Sequence, residues 1–396
     1  MNPILRNTWF AVALAVGVLC VGCSRSQGAQ PGAGATPGSL RGRGVDNAAK
    51  PAPSEPEAPK PDDGLPLPAA ELTPGSPAHH GAELYARMCS VCHGEKGEGY
   101  KADQATALAQ PDFLASASDQ QIKAAIANGR KGTQMSAWGK EFGGPLSQGD
   151  VTALVAFIRT WQHGPAVRLD ETAPLGDATR GKELFERECS SCHGPAAPNV
   201  KILNEPFLTQ ASDGYLRHAI RKGRFPTTMP GFKDSLGNEG IEDIVAYLRK
   251  LPPLQNEAPA SAAPSEPKPF KPVPQYAKGP APQGFKAFPE MTSVEVVSAQ
   301  LKRKAKMLIL DARVPSDYEM EHIAGAYNVP FYDPTPFLDK LPKSTWLVAY
   351  CGCPHAESGN LAKELVKAGF TQVTVLDEGL WVWKERGNPM RKGREP

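Results

Sequence analysis

The sequence lacks an excess of charge of either sign. Its 396 residues contain 44 Lys and Arg against 42 Asp and Glu, so the formal net charge is only +2. Because nucleic acids and other polyanions are attracted by strongly basic surfaces, this balance gives no indication of a nucleic-acid partner. The length allows two to three domains.

A long apolar run is also missing. The N-terminal run from Thr8 to Gly22 has 15 residues, whereas a membrane-spanning helix needs about 20. With Arg6 before it and Cys23 after it, the run predicts an export signal over residues 1–23. The segment resembles the lipobox of bacterial lipoproteins, which implies Cys23 as the lipidated residue and membrane anchor. An ordinary cleaved signal and an uncleaved anchor are alternatives, and all three place the folded part outside the cytoplasm, on the periplasmic side.

Proline is abundant, with 40 residues, or about twice the usual share. It is concentrated in residues 24–77 and 252–287. This composition is typical of extended linkers. The linkers separate three predicted domains, which cover residues 78–163, 175–251 and 288–391.

Cysteine is scarce outside the predicted signal. The remaining six form three close pairs, namely Cys89 with Cys92, Cys189 with Cys192, and Cys351 with Cys353. An exported protein can use such residues as disulfides, but the neighbouring residues indicate other chemistry.

Two of the pairs lie in an internal repeat. Residues 81–94 (GAELYARMCSVCHG) align with residues 181–194 (GKELFERECSSCHG), and nine of the 14 positions are identical. In each C-x-x-C-H motif the two thiols can add to the vinyl groups of one haem, and the histidine then faces the iron. We therefore expect thioether bonds at the four cysteines of these two pairs and iron ligation by His93 and His193. A zinc site would need pairs at shorter spacing than the 100 residues between these motifs.

A methionine follows each motif at an aligned position. Met135 and Met229 both lie in loops between a predicted helix and the last helix of the repeat. A methionine is more often core filler, but here the thioether is predicted as the sixth iron ligand. His/Met ligation raises the reduction potential and favours electron transfer. The rival ligands are His218, predicted to lie on a helix surface, and His163, which follows the final helix.

The order of first helix, C-x-x-C-H, loop, methionine loop and final helix resembles class I cytochrome c. The resemblance covers residues 78–163 and 175–251. It implies two small all-α domains with two covalently bound haem c groups. It also implies a periplasmic diheme carrier with respiratory electron donor and acceptor proteins as partners.

The C-terminal region follows a different pattern. Apolar runs at 307–313, 344–350 and 372–379 predict strands, and residues 361–369 predict an amphipathic helix. Such alternation indicates an α/β domain with a largely parallel sheet. Cys351 directly follows the second strand, where loop amides and a helix N-terminus can stabilise a thiolate.

This region resembles the rhodanese family. Residues 310–330 (LDARVPSDYEMEHIAGAYNVP) carry that family's residues in order, and the resemblance extends over 288–391. It implies that Cys351 accepts sulfur and holds it as a persulfide. If Ser358 is the first serine of the following helix, the loop is one residue longer than is usual in the family.

The loop from Cys351 to Ser358 lacks Arg and Lys. Thiosulfate is doubly negative, so it is a poor candidate for the sulfur donor. Cys353 is predicted either as a resolving thiol that attacks a persulfide on Cys351 or as a small buried residue before Pro354. His355 is predicted either to assist a thiol or to lie at the surface.

Three functions remain open from the sequence. One is a membrane-tethered cytochrome that is coupled to sulfane sulfur or thiol redox chemistry at Cys351. Another is a pure electron carrier whose C-terminal domain is a non-catalytic docking or redox-sensing module. The last is a sulfurtransferase that merely shares its location with the cytochromes.

Overall fold

The computed structural model describes residues 72–396 apart from positions 100, 101, 103, 104, 131, 132, 195–201, 204, 226, 252–269, 353 and 354. The predicted signal with Cys23, almost all of the first linker, and Cys353 therefore lie outside the described residues. Within the described ranges, none of the helices has the length and apolar character needed to cross a membrane.

The first helical domain starts with a locally encoded helix cap. Ser76 precedes α1 (Pro77–Met88), its side chain accepts a hydrogen bond from the backbone N–H of His79, and Pro77 opens the first turn. Four helices follow, namely α2 (Ser90–His93), α3 (Pro111–Ser116), α4 (Asp119–Asn128) and α5 (Gln148–Arg159).

The first and last helices of this domain cross at a glycine. A Cβ atom on Gly81 would lie 2.0 Å from the carbonyl oxygen of Ala153, so this close approach requires glycine. The rings of Tyr85, Phe157 and Trp161 pack beside the crossing, with centroids 4.9 to 5.3 Å apart. The crossing brings both ends of the repeat together around one small core.

The second helical domain repeats this arrangement. Its helices are α6 (Ala178–Glu188), α7 (Ser190–His193), α8 (Glu205–Gln210), α9 (Asp213–Lys222) and α10 (Lys233–Lys250). A Cβ on Gly181 would lie 1.9 Å from the carbonyl oxygen of Asp243. The Asp243 carboxylate is fully buried and accepts hydrogen bonds from the backbone N–H of Asp177, at 2.7 Å, and from the Arg180 guanidinium.

The two helical domains are in contact through polar side chains. Asp112 on α3 pairs with His218 Nε2 at 2.6 Å and accepts a bond from the guanidinium of Arg224. Gln110 Nε2 donates to the carbonyl oxygen of Phe225 at 2.5 Å. His218 is only 13% exposed. The prediction of a surface histidine was therefore wrong, because a hydrogen bond to Asp112 of the other domain covers it.

The C-terminal domain is an α/β fold. The strands β1 (Met291–Thr292), β6 (Val373–Leu376), β5 (Trp346–Tyr350), β2 (Met307–Asp311) and β4 (Ala326–Asn328) form a parallel sheet in that order. Strands β3 (His322–Ile323) and β7 (Met390–Arg391) pair antiparallel. The helices are α11 (Val294–Lys302), α12 (Pro315–Met320), α13 (Thr335–Leu338), α14 (Ala356–Lys367) and α15 (Gly379–Glu385). Two all-α domains and one mainly parallel α/β domain confirm the predicted multidomain fold class.

Part of the predicted second linker packs on the α/β domain. The ring of Phe270 lies 4.8 Å from that of Phe337 and 5.9 Å from that of Tyr327. Further along, the backbone N–H of Lys306 donates to the carbonyl oxygen of Pro280 at 2.8 Å. Residues 270–287 therefore lie against the folded domain, although their proline content predicts an extended linker.

Candidate functional site

The first C-x-x-C-H motif forms a short helix at the end of α1. Cys89 is the C-cap of α1, and α2 carries Cys92 and His93 on the next turn. The Nδ1 atom of His93 lies 2.8 Å from the carbonyl oxygen of Thr106. Donation from Nδ1 to that carbonyl fixes the ring and leaves Nε2 free to bind a metal. Burial lowers the pKa of His93, which favours the neutral imidazole that ligation needs.

A first cavity of about 420 Å³ opens beside this motif. Cys89, Cys92, His93 and Met135 all line it, together with largely apolar side chains of α4 and α5. The predicted haem residues of the first repeat therefore converge on one space. Its volume falls within the range of about 300–1,000 Å³ that is usual for cofactor and ligand sites.

A second cavity of about 620 Å³ repeats the arrangement. It is lined by Cys189, Cys192, His193 and Met229. The apolar walls come from α6, α9 and α10 of the second domain. The repeat in the sequence thus becomes a repeat of two equivalent sites.

Both methionines occupy the same kind of loop. The carbonyl oxygen of Met135 accepts from the backbone N–H of Arg130 at 2.8 Å, and that of Met229 accepts from Arg224 at 3.0 Å. A threonine hydroxyl two residues earlier accepts from each methionine N–H, at 3.1 and 3.2 Å. These bonds hold each loop so that its methionine lines the cavity. The alternative ligand His163 is exposed and lies outside the lining of both cavities.

The polar groups of the cavities fit a haem with its acidic side groups. Arg130 lines both cavities, and among the described residues it forms no ion pair. Burial lowers the pKa of Arg130, as expected of a cation that lacks a counter-charge. In the part of the chain that the structure describes, Nη2 of Arg224 in the second cavity and Nε2 of Gln121 in the first are buried without a hydrogen-bond partner. Apolar walls with unpaired donors suit a flat apolar cofactor with carboxylates.

Cys351 lies at the carboxyl end of β5, in the centre of the parallel sheet. Its Sγ atom is 3.2 Å from the hydroxyl oxygen of Ser358, on the first turn of α14. The side chain is only 1% exposed. The hydroxyl and the start of a 12-residue helix both favour negative charge on this sulfur.

The segment 351–358 is called the active loop below, and its described residues are 351, 352 and 355–358. The recorded contacts of His355 are with Asp377, whose carboxylate lies 3.0 Å and whose carbonyl lies 2.8 Å from Nε2. His355 also has a φ of +71°, which places it in the left-handed region at the start of α14. Cys353 falls outside the described residues, so its proposed role as a resolving thiol stays a prediction.

A buried polar network supports the strand beneath Cys351. Arg313 makes two bonds to the carboxylate of Asp311, and the hydroxyl of Tyr350 donates to the same carboxylate. Asp311 and Tyr350 are fully buried. Burial raises the pKa of Tyr350 well above its usual range, which keeps this hydroxyl a donor. The network holds the ends of β2 and β5 in register below the active loop.

The active loop and helix α12 both contact the loop that carries Met135. Residues 133–138 are called the Met135 loop below. Gln134 Nε2 lies 3.5 Å from the carbonyl oxygen of Gly352, and Ser136 Oγ donates to the carboxylate of Asp317 at 2.6 Å. No sequence pattern predicts this contact, because the paired residues are single polar residues about 200 positions apart.

Aromatic and backbone contacts extend the same interface. The Trp138 ring lies 5.5 Å from the ring of Tyr332 and 6.4 Å from that of Phe331, measured between centroids. Ser316 Oγ donates to the carbonyl oxygen of Ala137 at 3.0 Å. The first helical domain and the α/β domain therefore pack together at the methionine end of the first cavity.

Glu357 connects the two sites. It lies next to Ser358 on α14, is 8% exposed, and lines the first cavity together with His93 and Met135. Burial raises the pKa of Glu357 well above its usual range, and the nearby Cys351 sulfur adds to the shift. A side chain of the active loop therefore forms part of the wall of the first cavity.

The comparisons with known proteins match the same three regions. The sequence model of cbb3-type cytochrome c oxidase subunit III matches residues 76–158 and 176–248, and that of the rhodanese-like domain matches residues 293–386. Cytochrome c6 from Bryopsis maxima is 34% identical over 83 residues, which are 19% of this chain and 92% of its own. The chain belongs to the c-type cytochromes and carries a rhodanese-like domain. Such cytochrome domains imply covalently bound haem c.

Longer relatives match the helical pair. The cbb3-type cytochrome c oxidase subunit FixP of Bradyrhizobium diazoefficiens is 25% identical over 184 residues, which are 43% of this chain. The chain spans 60% of the length of that relative. A solved rhodanese-like domain of the Anabaena sp. Alr3790 protein is 29% identical and covers 26% of this chain and 80% of its own, with a TM-score of 0.25.

Proposed function

We propose that the chain is an exported diheme c-type cytochrome that transfers electrons and is coupled to sulfur chemistry at Cys351. The observation that carries the proposal is the contact between the active loop and the first cavity, with Glu357 in the wall of that cavity. Two functional sites on separate domains would not need to share a wall. Their contact favours a coupled protein over a chance fusion.

Four side chains are proposed as iron ligands. His93 and Met135 would bind the iron of a first haem, and His193 and Met229 that of a second. Cys89, Cys92, Cys189 and Cys192 would hold the two haems as thioethers. When bound, each haem supplies one-electron chemistry, and a His/Met pair leaves the iron without an open position. This supports electron transfer as the main activity.

The residues around the cavities have supporting roles. Thr106 orients the ring of His93 through its carbonyl oxygen. Arg130 and Arg224 provide buried cations for the acidic groups of the haems. Thr106, Phe113 and Arg130 line both cavities. This shared wall supports passage of electrons between the two haem sites.

The sulfur site is proposed to work through Cys351. Ser358 donates to the thiolate, which attacks the outer sulfur of a persulfide donor while the donor's thiolate leaves. The active loop has no Arg or Lys for a doubly charged donor, which supports a sulfane sulfur or thiol substrate rather than thiosulfate. His355 is proposed to position the start of α14 through Asp377, and Cys353 to resolve the persulfide.

The location is proposed from the N-terminal sequence. Residues 1–23 direct export, and Cys23 carries the lipid that holds the protein at the periplasmic face of a membrane. The electron partners would then be respiratory donor and acceptor proteins. We expect the native protein to incorporate a radiolabelled fatty acid and Cys23→Ala protein to lack this label.

A second function is favoured by the burial of the active cysteine. Cys351 is only 1% exposed in the docked arrangement, as expected if the α/β domain is a docking or redox-sensing module of a pure electron carrier. The two functions make different predictions for sulfur uptake at this residue.

Sulfur transfer from a persulfide donor releases no electrons, whereas joining hydrogen sulfide to the Cys351 thiol releases two electrons and two protons. The test is therefore anaerobic addition of hydrogen sulfide to the oxidised holoprotein. We expect a persulfide on Cys351 by mass spectrometry together with reduction of the haem absorbance. In Cys351→Ser protein both signals should be lost, while a small inorganic reductant should still reduce the haems. Haem reduction that persists in Cys351→Ser protein would contradict the proposed coupling. If no persulfide forms on Cys351 of the native protein, the docking module is the favoured function.

A further inference from the structure

We propose that the Met135 loop is a docking surface for the active loop, through which electrons released by sulfur oxidation at Cys351 enter at the first haem site. The inference rests on the proposed function, because it takes Cys351 as the reacting sulfur. It adds the entry point, the direction of electron flow and the class of substrate.

Buried polar contacts make the docked arrangement specific. The hydroxyl of Ser136, which is buried, donates to the half-buried Asp317 across the interface at 2.6 Å. Burial raises the pKa of Asp317, so the Ser136 hydroxyl is a partner that this carboxyl needs in the docked state. A shifted docking position would separate this donor from its acceptor, which is unfavourable for groups with little access to water.

Shape adds to this specificity. A Cβ on Gly352 would lie 2.5 Å from Oε1 of Gln134, so a larger residue at position 352 would require the Gln134 side chain to move. Trp138 is 7% exposed and packs on Tyr332 and Phe331. A buried tryptophan at the centre of a contact is typical of a genuine interface.

The contact favours the first haem site. The first cavity has Glu357 of the α/β domain in its wall, whereas the second cavity is lined, among the described residues, by the two helical domains alone. The two cavities share Arg130. Electrons from Cys351 therefore enter at the first site and leave through the second.

The environment of Cys351 selects a small uncharged substrate. The active loop has neither Arg nor Lys, and Arg313, the nearby cation, is bound by Asp311. A negative donor would therefore lose its hydration without gaining a cation as partner. The 1% exposure of Cys351 disfavours bulky donors. The neutral hydrogen sulfide molecule meets both conditions.

The reaction is a two-electron oxidation at sulfur. The Cys351 thiol and hydrogen sulfide give a Cys351 persulfide, two protons and two electrons. One S–S bond forms, two S–H bonds break, and both protons go to solvent. The electrons leave one at a time for the ferric c-type domains, whose two haem sites together accept both.

Docking is tested with a bulky substitution at its edge. Ser316→Arg places a long side chain against the backbone of Ala137 without altering Cys351 or the proposed iron ligands. Ser298→Arg, on the outer helix α11, is the matched control. The measurement is the alkylation rate of Cys351 in the full holoprotein, read by mass spectrometry.

We expect Ser316→Arg to speed alkylation about tenfold, because loss of ~1.4 kcal/mol of contact energy shifts a docking equilibrium by that factor. The control should match the native protein. In the same variant, haem reduction by hydrogen sulfide should slow about tenfold, while reduction by dithionite stays unchanged. Tyr332→Ala, which removes the ring under Trp138, should act in the same direction if Ser316→Arg folds poorly.

The entry point is tested with a matched pair of ligand variants. A second histidine in place of methionine lowers the reduction potential of a haem. In Met229→His protein, hydrogen sulfide should still reduce the first site at the native rate. In Met135→His protein, reduction of both sites should be slow. The opposite pattern would place the entry at the second site and overturn the inference.

The outcomes separate the inference from the proposed function. If Cys351→Ser leaves reduction by hydrogen sulfide intact, the proposed function fails. If Cys351→Ser abolishes reduction but Ser316→Arg and Tyr332→Ala alter neither alkylation nor reduction, only the docking inference fails.

Discussion

The hydrogen bond between Ser358 and Cys351 gives the sharpest prediction for the sulfur site. In Ser358→Ala protein the Cys351 sulfur loses the hydroxyl that lies 3.2 Å away. A hydrogen bond to a charged group contributes about 1.5–3 kcal/mol. Since ~1.4 kcal/mol corresponds to a factor of ten, the thiolate fraction should fall by about 10- to 150-fold. Ser358 is 1% exposed, so water has little room to replace the hydroxyl.

The assay is the alkylation rate of Cys351 at fixed neutral pH, because only the thiolate reacts. Ser358→Thr keeps the hydroxyl and is the matched control, with a rate expected to be close to that of the native protein. The substitution does not touch the Met135 loop, so a change in access does not explain a slower reaction. An alkylation rate for Ser358→Ala within twofold of the native rate would refute the assigned role of Ser358.

Three further predictions concern the helical domains. Leu154→Ala should lower the free energy of unfolding in denaturant titrations by about 2–5 kcal/mol, because Leu154 is fully buried against the first cavity. A loss of less than about 1 kcal/mol would contradict the assignment of Leu154 to the core. Ser147→Ala should remove about 1 kcal/mol by breaking the capping box of α5. Hydrogen bonds, first from His80 and then from Ser147, lower the pKa of Asp150 to about 2. The ionised Asp150 therefore stabilises the fold above its ordinary pKa of 3.8, and this stabilisation is lost as the pH falls toward 2. In Ser147→Ala protein the drop in melting temperature over that pH range should be smaller. Asp243→Ala should lower the melting temperature of the second helical domain, because loss of its buried hydrogen bonds costs about 1–3 kcal/mol. An unchanged melting temperature would argue against this anchoring role.

The helical sites were largely predictable because both copies of the repeat carry the same local sequence pattern. The C-x-x-C-H motif forms a short helix in both copies, and the aligned Met135 and Met229 line equivalent cavities. Gly81 and Gly181 stand at the same helix crossing. These features depend on spacing within one domain, which sequence patterns record directly.

Contacts between domains were not predictable in the same way. Asp112 and His218 look like ordinary surface residues until the two helical domains meet. Glu357 has the sequence position of a first-turn helix acid, yet it is buried in the wall of the first cavity. In each case the partner is more than 100 positions away, and a single polar residue carries no periodic signal.

The central claim is the coupling of Cys351 to the haems, and the stoichiometry of the reaction tests it most directly. Oxidised holoprotein is mixed anaerobically with hydrogen sulfide, and persulfide on Cys351 and ferrous haem are followed over the same time course. The account predicts that the two appear together, at two haems reduced per persulfide formed, and that neither appears in Cys351→Ser protein. Haem reduction at the native rate in Cys351→Ser protein would contradict it.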